Sequence, residues 1–165
     1  ADRDVRTGEV GELVLRGPNV FAGYWGLPEA TAEAFRGGWF HTGDLGRMDP
    51  EGFMTLVDRK KDMIITGGEN VYSKEVEDAL TAHPAIAEAA VVGRPHPEWG
   101  QTVIAHIVRI DGADDVTEDL TTFLADRLAR YKIPREFHVA QSLPRTPTGK
   151  IQKHLINTPE LSTTA

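Results

Sequence analysis

Five consecutive charged residues, Asp58-Arg59-Lys60-Lys61-Asp62, limit how this chain can fold more than any other stretch. One apolar run, Phe53 to Val57, ends just before them, and another, Met63-Ile64-Ile65, follows at once. Lys, Arg and Asp are almost never fully buried without partners, so so dense a run stays in water. No single core can run through this point, and a domain junction is expected here. The chain has 165 residues, enough for one domain or for one and a part.

Upstream of the junction the pattern is mostly β. Val10 to Arg16 reads as a strand closed by the turn Gly17-Pro18-Asn19. Pro28 fits the first position of a helix reaching about Phe35, with Glu29 in its first turn, and Gly37-Gly38 stops it. Gly46 to Met48 and Phe53 to Val57 flank Asp49-Pro50-Glu51-Gly52, a hairpin turn. Between these, Trp39-Phe40-His41-Thr42-Gly43-Asp44-Leu45 reads as a turn carrying a carboxylate. Asp44 there can accept two hydrogen bonds from a vicinal diol, or simply close an Asx-turn. Some 57 residues of this kind are too few for a complete domain.

Downstream, the spacing gives strand, helix, strand, strand, helix, strand, a small α+β layer fold. Ser73 is expected to cap a helix running to His83, ended by Pro84. Ile86 to Val92 and Thr102 to Ile110 read as strands, separated by a Pro- and Gly-rich loop from Gly93 to Gln101 that carries Trp99. Asp111 to Asp115 reads as a polar turn. Thr117 is expected to cap a helix reaching Tyr131, because Leu120, Phe123, Leu124, Leu128 and Tyr131 fall at helical spacing. Glu136 to Ala140 is the last strand, and the final dozen residues are expected to fray. The fold class is α+β: a small C-terminal domain with a three-stranded sheet and helices, preceded by a mostly β tail of a larger domain.

Thr146-Pro147-Thr148-Gly149-Lys150 follows that strand as an exposed loop, since Pro147 blocks helix and Gly149 frees the backbone. Lys150 at its end is either an ordinary surface lysine or a point charge offered to a phosphate. From Arg127 to Lys153 there are seven cations and one anion, inside a protein of net charge -7. This basic segment is either a solvated face or a surface for a polyanionic small ligand such as a nucleotide or coenzyme. The overall negative charge argues against nucleic acid as a bulk partner. Without cysteine there is no disulfide scaffold and no thiolate metal site. No histidine pair has a zinc-binding spacing, and Pro144 stands where a Walker loop would need its earlier glycine. No apolar run reaches membrane-spanning length and no signal pattern opens the chain, so a cytoplasmic protein is expected. The chain opens with Ala, not Met, and a fragment or processed product is expected.

Three stretches, taken together, carry a resemblance. They are Trp39 to Leu45, Asp58 to Tyr72 (Asp-Arg-Lys-Lys-Asp-Met-Ile-Ile-Thr-Gly-Gly-Glu-Asn-Val-Tyr), and Pro144 to Ile151. In this order and spacing the chain resembles the adenylate-forming (ANL) superfamily, from about Gly8 to Lys153. Within it, the Gly67-Gly68-Glu69-Asn70-Val71-Tyr72 run is similar to that of fatty-acyl-CoA synthetases, and the downstream part resembles the AMP-binding enzyme C-terminal domain.

The resemblance implies that residues 1–60 end a large N-terminal adenylation domain and that 61–165 form a small mobile domain. It implies an acid–thiol ligase: a carboxylate and ATP give acyl-AMP, and the acyl group then passes to coenzyme A. A ligase loading a carrier protein, or a non-catalytic interaction module, is the alternative. By position, Asp44 and Arg59 would bind ATP, Lys61 would be the hinge, and Lys150 would be the catalytic lysine of adenylation. Gly67, Gly68, Trp99, Tyr131, Lys132 and Arg135 would meet coenzyme A. The ligands of Mg2+ and the pocket for the fatty or other carboxylic acid would lie in the missing N-terminal domain. The stretch alone would then be inactive, and the surface meant for that domain leaves a homodimer open.

Overall fold

The computed structural model of the protein describes residues 3–111 and 117–156. The chain divides into two compact units, Ala1–Lys61 and Asp62–Ala165. Most of the expected turn at Asp111 to Asp115, the capping side chain of Thr117 and nine of the final dozen residues expected to fray lie outside what is described; the other three, 154–156, are helical.

The first unit is a three-stranded antiparallel sheet, β1 (Gly11–Leu15), β2 (Phe40–Met48) and β3 (Met54–Arg59), in that order. One helix, α1 (Pro28–Ala34), precedes β2 and has Pro28 at its start. The expected turn around Asp44 is instead part of β2, which runs the whole way from Phe40 to the hairpin. Gly43 makes this possible: it sits at φ +73°, a local bend inside the strand that L side chains rarely adopt. Phe21, Phe35 and Phe40 pack in mutual edge or tilted contact, with centroids 5.0 to 5.4 Å apart. Other large apolar side chains of this unit face water, including Trp25, Leu27, Phe53 and Leu56.

The second unit is built on a five-stranded sheet: β4 (Ile64–Thr66), β5 (Glu69–Val71), β6 (Ile86–His96), β7 (Gly100–Arg109) and β8 (Glu136–Val139). The three long-range strands β6, β7 and β8 form the sheet that was expected, with β8 parallel to β7. The short hairpin β4–β5 adds to it through one pairing, Thr66 with Gly100. The expected Gly93–Gln101 loop is mostly strand: β6 continues to His96 and pairs there with Gly100. Proline at position 95 is compatible with that because it lacks only the donor, and the partner Gln101 is at the strand's margin.

Both faces of β6 and β7 are covered, which is why their sequences are apolar without alternation. On one face Val91, Val103, Ala105 and Ile107 meet Val76 and Leu80 of α2 (Ser73–Thr81) and Leu120 and Leu124 of α3 (Thr117–Ala125). On the other, Ala90, Val92 and Ile104 meet Leu143, Ile151 and Ile156, the last from α4 (Lys153–Ile156).

Two helix expectations change. Ser73 is the first helical residue rather than the cap, which is Tyr72. Ser73 is fully buried, and its hydroxyl accepts a hydrogen bond from Lys153 Nζ at 2.7 Å. α3 ends at Ala125, not near Tyr131. Ala129 turns extended, and a short 3-10 turn, Arg130–Lys132, follows. Leu128 thereby stays in the core while Lys132 turns to Glu75, and Pro134 holds the preceding Ile133 extended.

Candidate functional site

In the first unit the β2–β3 register sets Asp44 opposite Arg59. The Arg59 Nε donates to Asp44 Oδ1 at 2.6 Å, and both side chains reach solvent. The backbone under Asp44 is fastened on both sides. Thr42 Oγ1 accepts the Asp44 N–H at 3.0 Å and donates to the Leu13 carbonyl at 2.7 Å. The Gly43 carbonyl accepts the Lys60 N–H at 2.8 Å. Lys61 is exposed and ends this unit.

Glu12 was not singled out in the sequence, where it is one charge between Gly11 and Leu13 in an expected strand. In the structure its side chain is only 14% exposed. One oxygen accepts the Gly43 N–H at 3.2 Å. The other lies 2.9 Å from Lys60 Nζ, 3.0 Å from His41 Nδ1 and 3.1 Å from Arg36 Nη2. Burial alone would raise its pKa. Hydrogen bonds from Lys60 and His41, together with their charges, outweigh that and hold the carboxyl at about 2, against an ordinary 4.5.

In the second unit the stretch 145–151 closes on itself as a compact loop. Arg145 bridges Ile151, Thr146 N–H donates to the Lys150 carbonyl at 2.8 Å, and Gly149 N–H to the Thr146 carbonyl at 2.9 Å. Thr146 Oγ1 accepts the Lys150 N–H at 3.1 Å, and Arg145 Nη1 donates to the Gly149 carbonyl at 2.6 Å. Pro147 has no N–H to leave unpaired at the tip. Arg145 is tied to Glu88 of β6 at 2.6 Å.

The basic segment is largely neutralised by acids that are distant in sequence. Lys132 pairs with Glu75 at 2.7 Å, Lys153 with Glu77 at 2.7 Å, and Arg145 with Glu88. Arg127 and Arg135 lie over the rings of Phe123 and Trp99. Lys150 is exposed and, like Arg130, meets no acid among the described residues.

A cavity of about 580 Å³ opens in the second unit. Of the six residues expected at coenzyme A, Gly67, Trp99, Tyr131 and Arg135 line it. Gly68 adjoins them in the β4–β5 turn, and Lys132 points instead to Glu75. Gly67 and Gly68 have φ of +57° and +86°, so this turn needs glycine at both places. Gly67 N–H donates to the Trp99 carbonyl at 3.0 Å, which fixes the turn to the β6–β7 hairpin. The Trp99 ring stacks on His96, with centroids 4.3 Å apart and planes 6° from parallel. Arg130, one of the seven cations of the basic segment, also lines the cavity, as do Thr66 and Thr121, which carried no distinguishing local pattern in the sequence.

Among the described residues no cluster of three or more His, Cys, Asp and Glu is placed to hold a metal ion. Among them, too, no helix is long and apolar enough to cross a membrane.

Residues 75–150 match the family model of the AMP-binding enzyme C-terminal domain. The chain is 49% identical to a feruloyl-CoA synthase of Amycolatopsis sp over 149 residues, which is 90% of this chain and 30% of that protein. It is 50% identical over 143 residues to a long-chain-fatty-acid–CoA ligase of Bacillus subtilis, covering 87% of this chain and 26% of the relative. The structure of o-succinylbenzoate CoA synthetase from Bacillus subtilis, in complex with its acyl-adenylate intermediate, superimposes with a TM-score of 0.86 at 40% identity. That match covers 95% of this chain and 33% of the other. The chain thus spans about a third or less of the proteins it matches. With an AMP-binding enzyme C-terminal domain over residues 75–150 and such identity on either side of it, the chain belongs to the adenylate-forming superfamily.

Proposed function

We propose that this chain is the C-terminal portion of an ATP-dependent acid–thiol ligase, with residues 1–60 ending its large domain and 61–165 forming its small mobile domain. In the first step a carboxylate oxygen attacks the α-phosphorus of ATP, and pyrophosphate leaves. In the second, the sulfur of coenzyme A attacks the acyl carbon of the acyl-adenylate, its proton departs, and AMP leaves. Asp44 and Arg59 hold the ribose of ATP. Lys150 stabilises the charge that builds on the phosphoryl oxygens in the first step. Gly67, Trp99, Tyr131 and Arg135 receive coenzyme A in the second, with Gly68 shaping the turn. A lysine at the phosphorus would obstruct the incoming thiol, so the two steps need different placements of Lys150, with Lys61 as the hinge.

The observation that carries this reading is the contrast within the basic segment. Lys132, Lys153 and Arg145 are satisfied by Glu75, Glu77 and Glu88, and Arg127 and Arg135 lie against rings, while Lys150 is presented on a closed loop without a counter-ion among the described residues. The test is Lys150→Ala in the full-length protein. Pyrophosphate release is expected to fall about 100-fold or more, the usual scale for one transition-state charge contact. Thioester formation from supplied acyl-adenylate is expected to persist. Equal loss of both steps, or of neither, would overturn the assignment.

As the acid we propose a fatty acid. The support is the identity to the long-chain ligase of Bacillus subtilis. Ferulate is the competing acid for the same assay, given the equally similar feruloyl-CoA synthase. The 165-residue stretch by itself is proposed to be inactive, and acyl-adenylate produced by it when pure would refute that.

A further inference from the structure

We propose that Glu12 is a positioning residue for ATP: its carboxylate fixes the Gly43–Asp44 backbone and Lys60 in one geometry, and so aims Asp44 and Arg59 at the ribose. The inference rests on the reading of Asp44 as a ribose ligand.

Glu12 lies on β1, yet two of its contacts, the Gly43 N–H and Lys60, belong to the surroundings of Asp44 and of the hinge. Its first oxygen accepts the N–H of Gly43, the residue before Asp44. Gly43 has φ +73° and no side chain to brace it, so its two hydrogen bonds help to set the direction of the following Asp44, beside the Thr42 hydroxyl and the pairing with Arg59. Its N–H goes to Glu12 and its carbonyl to the Lys60 N–H. The second Glu12 oxygen takes the ammonium of that same Lys60. Lys60 is flanked by Arg59, the partner of Asp44, and by Lys61, the proposed hinge. One carboxylate therefore ties both ends of the Asp44–Arg59 pair. Arg36 and His41 hold the carboxylate in turn, at 3.1 and 3.0 Å. A carboxyl held at about 2 keeps its charge at any ordinary working pH.

Ordinary strand architecture does not ask for this. A charged side chain with little exposure in an otherwise apolar strand is costly unless it is paired, and here the Gly43 N–H, Lys60 and Arg36 donate to it, with His41 Nδ1 at 3.0 Å. None of them belongs to the apolar cluster of Phe21, Phe35 and Phe40. What so many contacts to one carboxylate secure is position.

The experiment uses the full-length enzyme and the variants Glu12→Gln, Lys60→Met, Asp44→Asn and the double variant Glu12→Gln/Asp44→Asn. Glutamine keeps an oxygen for Gly43 but sets an amide NH2 against Lys60 and Arg36, both of them donors. Pyrophosphate release is measured against ATP and, separately, against the acid. Expected for Glu12→Gln is a rise of about tenfold in KM for ATP, with KM for the acid within about twofold, as for one lost charge-assisted contact. Lys60→Met removes an exposed side chain without burying a new polar group, and is expected to move KM for ATP in the same direction by about threefold. In the double variant the effect of Glu12→Gln is expected to vanish, because Asp44 is the group through which Glu12 acts. Additive effects, or an equal rise in both KM values, would mean that Glu12 only stabilises the sheet, and would overturn the inference. If Asp44→Asn itself leaves KM for ATP unchanged, the ribose assignment fails, and the inference fails with it for that separate reason. If Glu12→Gln does not fold, Lys60→Met in the presence and absence of Asp44→Asn decides the same question.

Discussion

Arg135 stands over the indole of Trp99, its guanidinium carbon 3.4 Å from the ring centroid. Thirty-six residues separate them in the chain, and the cavity they share is lined on its other sides by Gly67 and Tyr131. A flat cation on a flat ring leaves the guanidinium edge free for a phosphate. Arg135→Ala is expected to raise KM for coenzyme A about tenfold and to leave pyrophosphate release unchanged. Arg135→Lys is expected to recover less than half of the loss, since an ammonium keeps the charge but not the stacked plane. Half-reaction kinetics on the full-length protein check both.

Lys132 should behave unlike its neighbour. Its ammonium reaches both oxygens of Glu75, at 2.7 and 2.8 Å, and its side chain is 18% exposed. Removing it leaves a half-buried carboxylate without its cation. Lys132→Ala is expected to cost about 1 kcal/mol of stability in urea titration, between the values for surface and buried pairs. Its KM for coenzyme A is expected to change by less than about twofold.

Gly67→Ala places a Cβ on a residue at φ +57°. There is room for the methyl group, whose nearest neighbour is Trp99 at 4.0 Å, so the cost is conformational. A left-handed alanine costs about 1 to 2 kcal/mol, and the β4–β5 turn relaxes away from it. Thioester formation is expected to slow by about tenfold while adenylation is retained. Equal loss of both would show the turn to be structural only.

Acid should weaken the two units over different pH ranges. His106 is lowered to about 4, first by burial, then by the neighbouring charges of His138 and Arg94. It stacks on His138 with centroids 4.9 Å apart. Folding therefore favours its neutral form, and that stability is complete above about 6.5 and lost as pH falls from there through 4. Its partial exposure reduces the effect to about 2 kcal/mol. Glu12 works by the opposite ionisation: its charged form is favoured, so its contribution is present above about 4.5 and lost as pH falls toward 2. His106→Gln is expected to flatten the pH dependence of unfolding between 6.5 and 4, and Glu12→Gln to flatten it only below 4.5. Urea midpoints across that pH range check this.

Local chemistry made much of the fold legible. Pro28 opens α1, the Asp49–Gly52 turn joins β2 to β3, and the apolar periodicity of Val76 and Leu80 set the core face of α2. The strand ends were less legible. β6 runs past Gly93 to His96, because its residues pair with β7 whatever their own preference, and sheet pairing overrides weak local propensity. α3 stops at Ala125 although the apolar spacing continues, and the turn that follows sets Lys132 against Glu75, an acid 57 residues away.

The candidate site divides in the same way. Sequence alone singled out the candidate residues in short motifs: Asp44 after Gly43, Arg59 and Lys61 in the charged run, the Gly67-Gly68 turn, and Lys150 on its Pro- and Gly-bearing loop. These depend on backbone freedom and charge within a few residues, so they can be read one stretch at a time. Only the tertiary structure decided which charges remain free. It neutralised Lys132, Arg145 and Lys153 with Glu75, Glu88 and Glu77, left Lys150 exposed, and drew Glu12 into the support of Asp44. Whether a charge is free or satisfied depends on what lies within about 4 Å of it, and in a sheet with crossing helices those neighbours are set by pairing between strands, not by order along the chain.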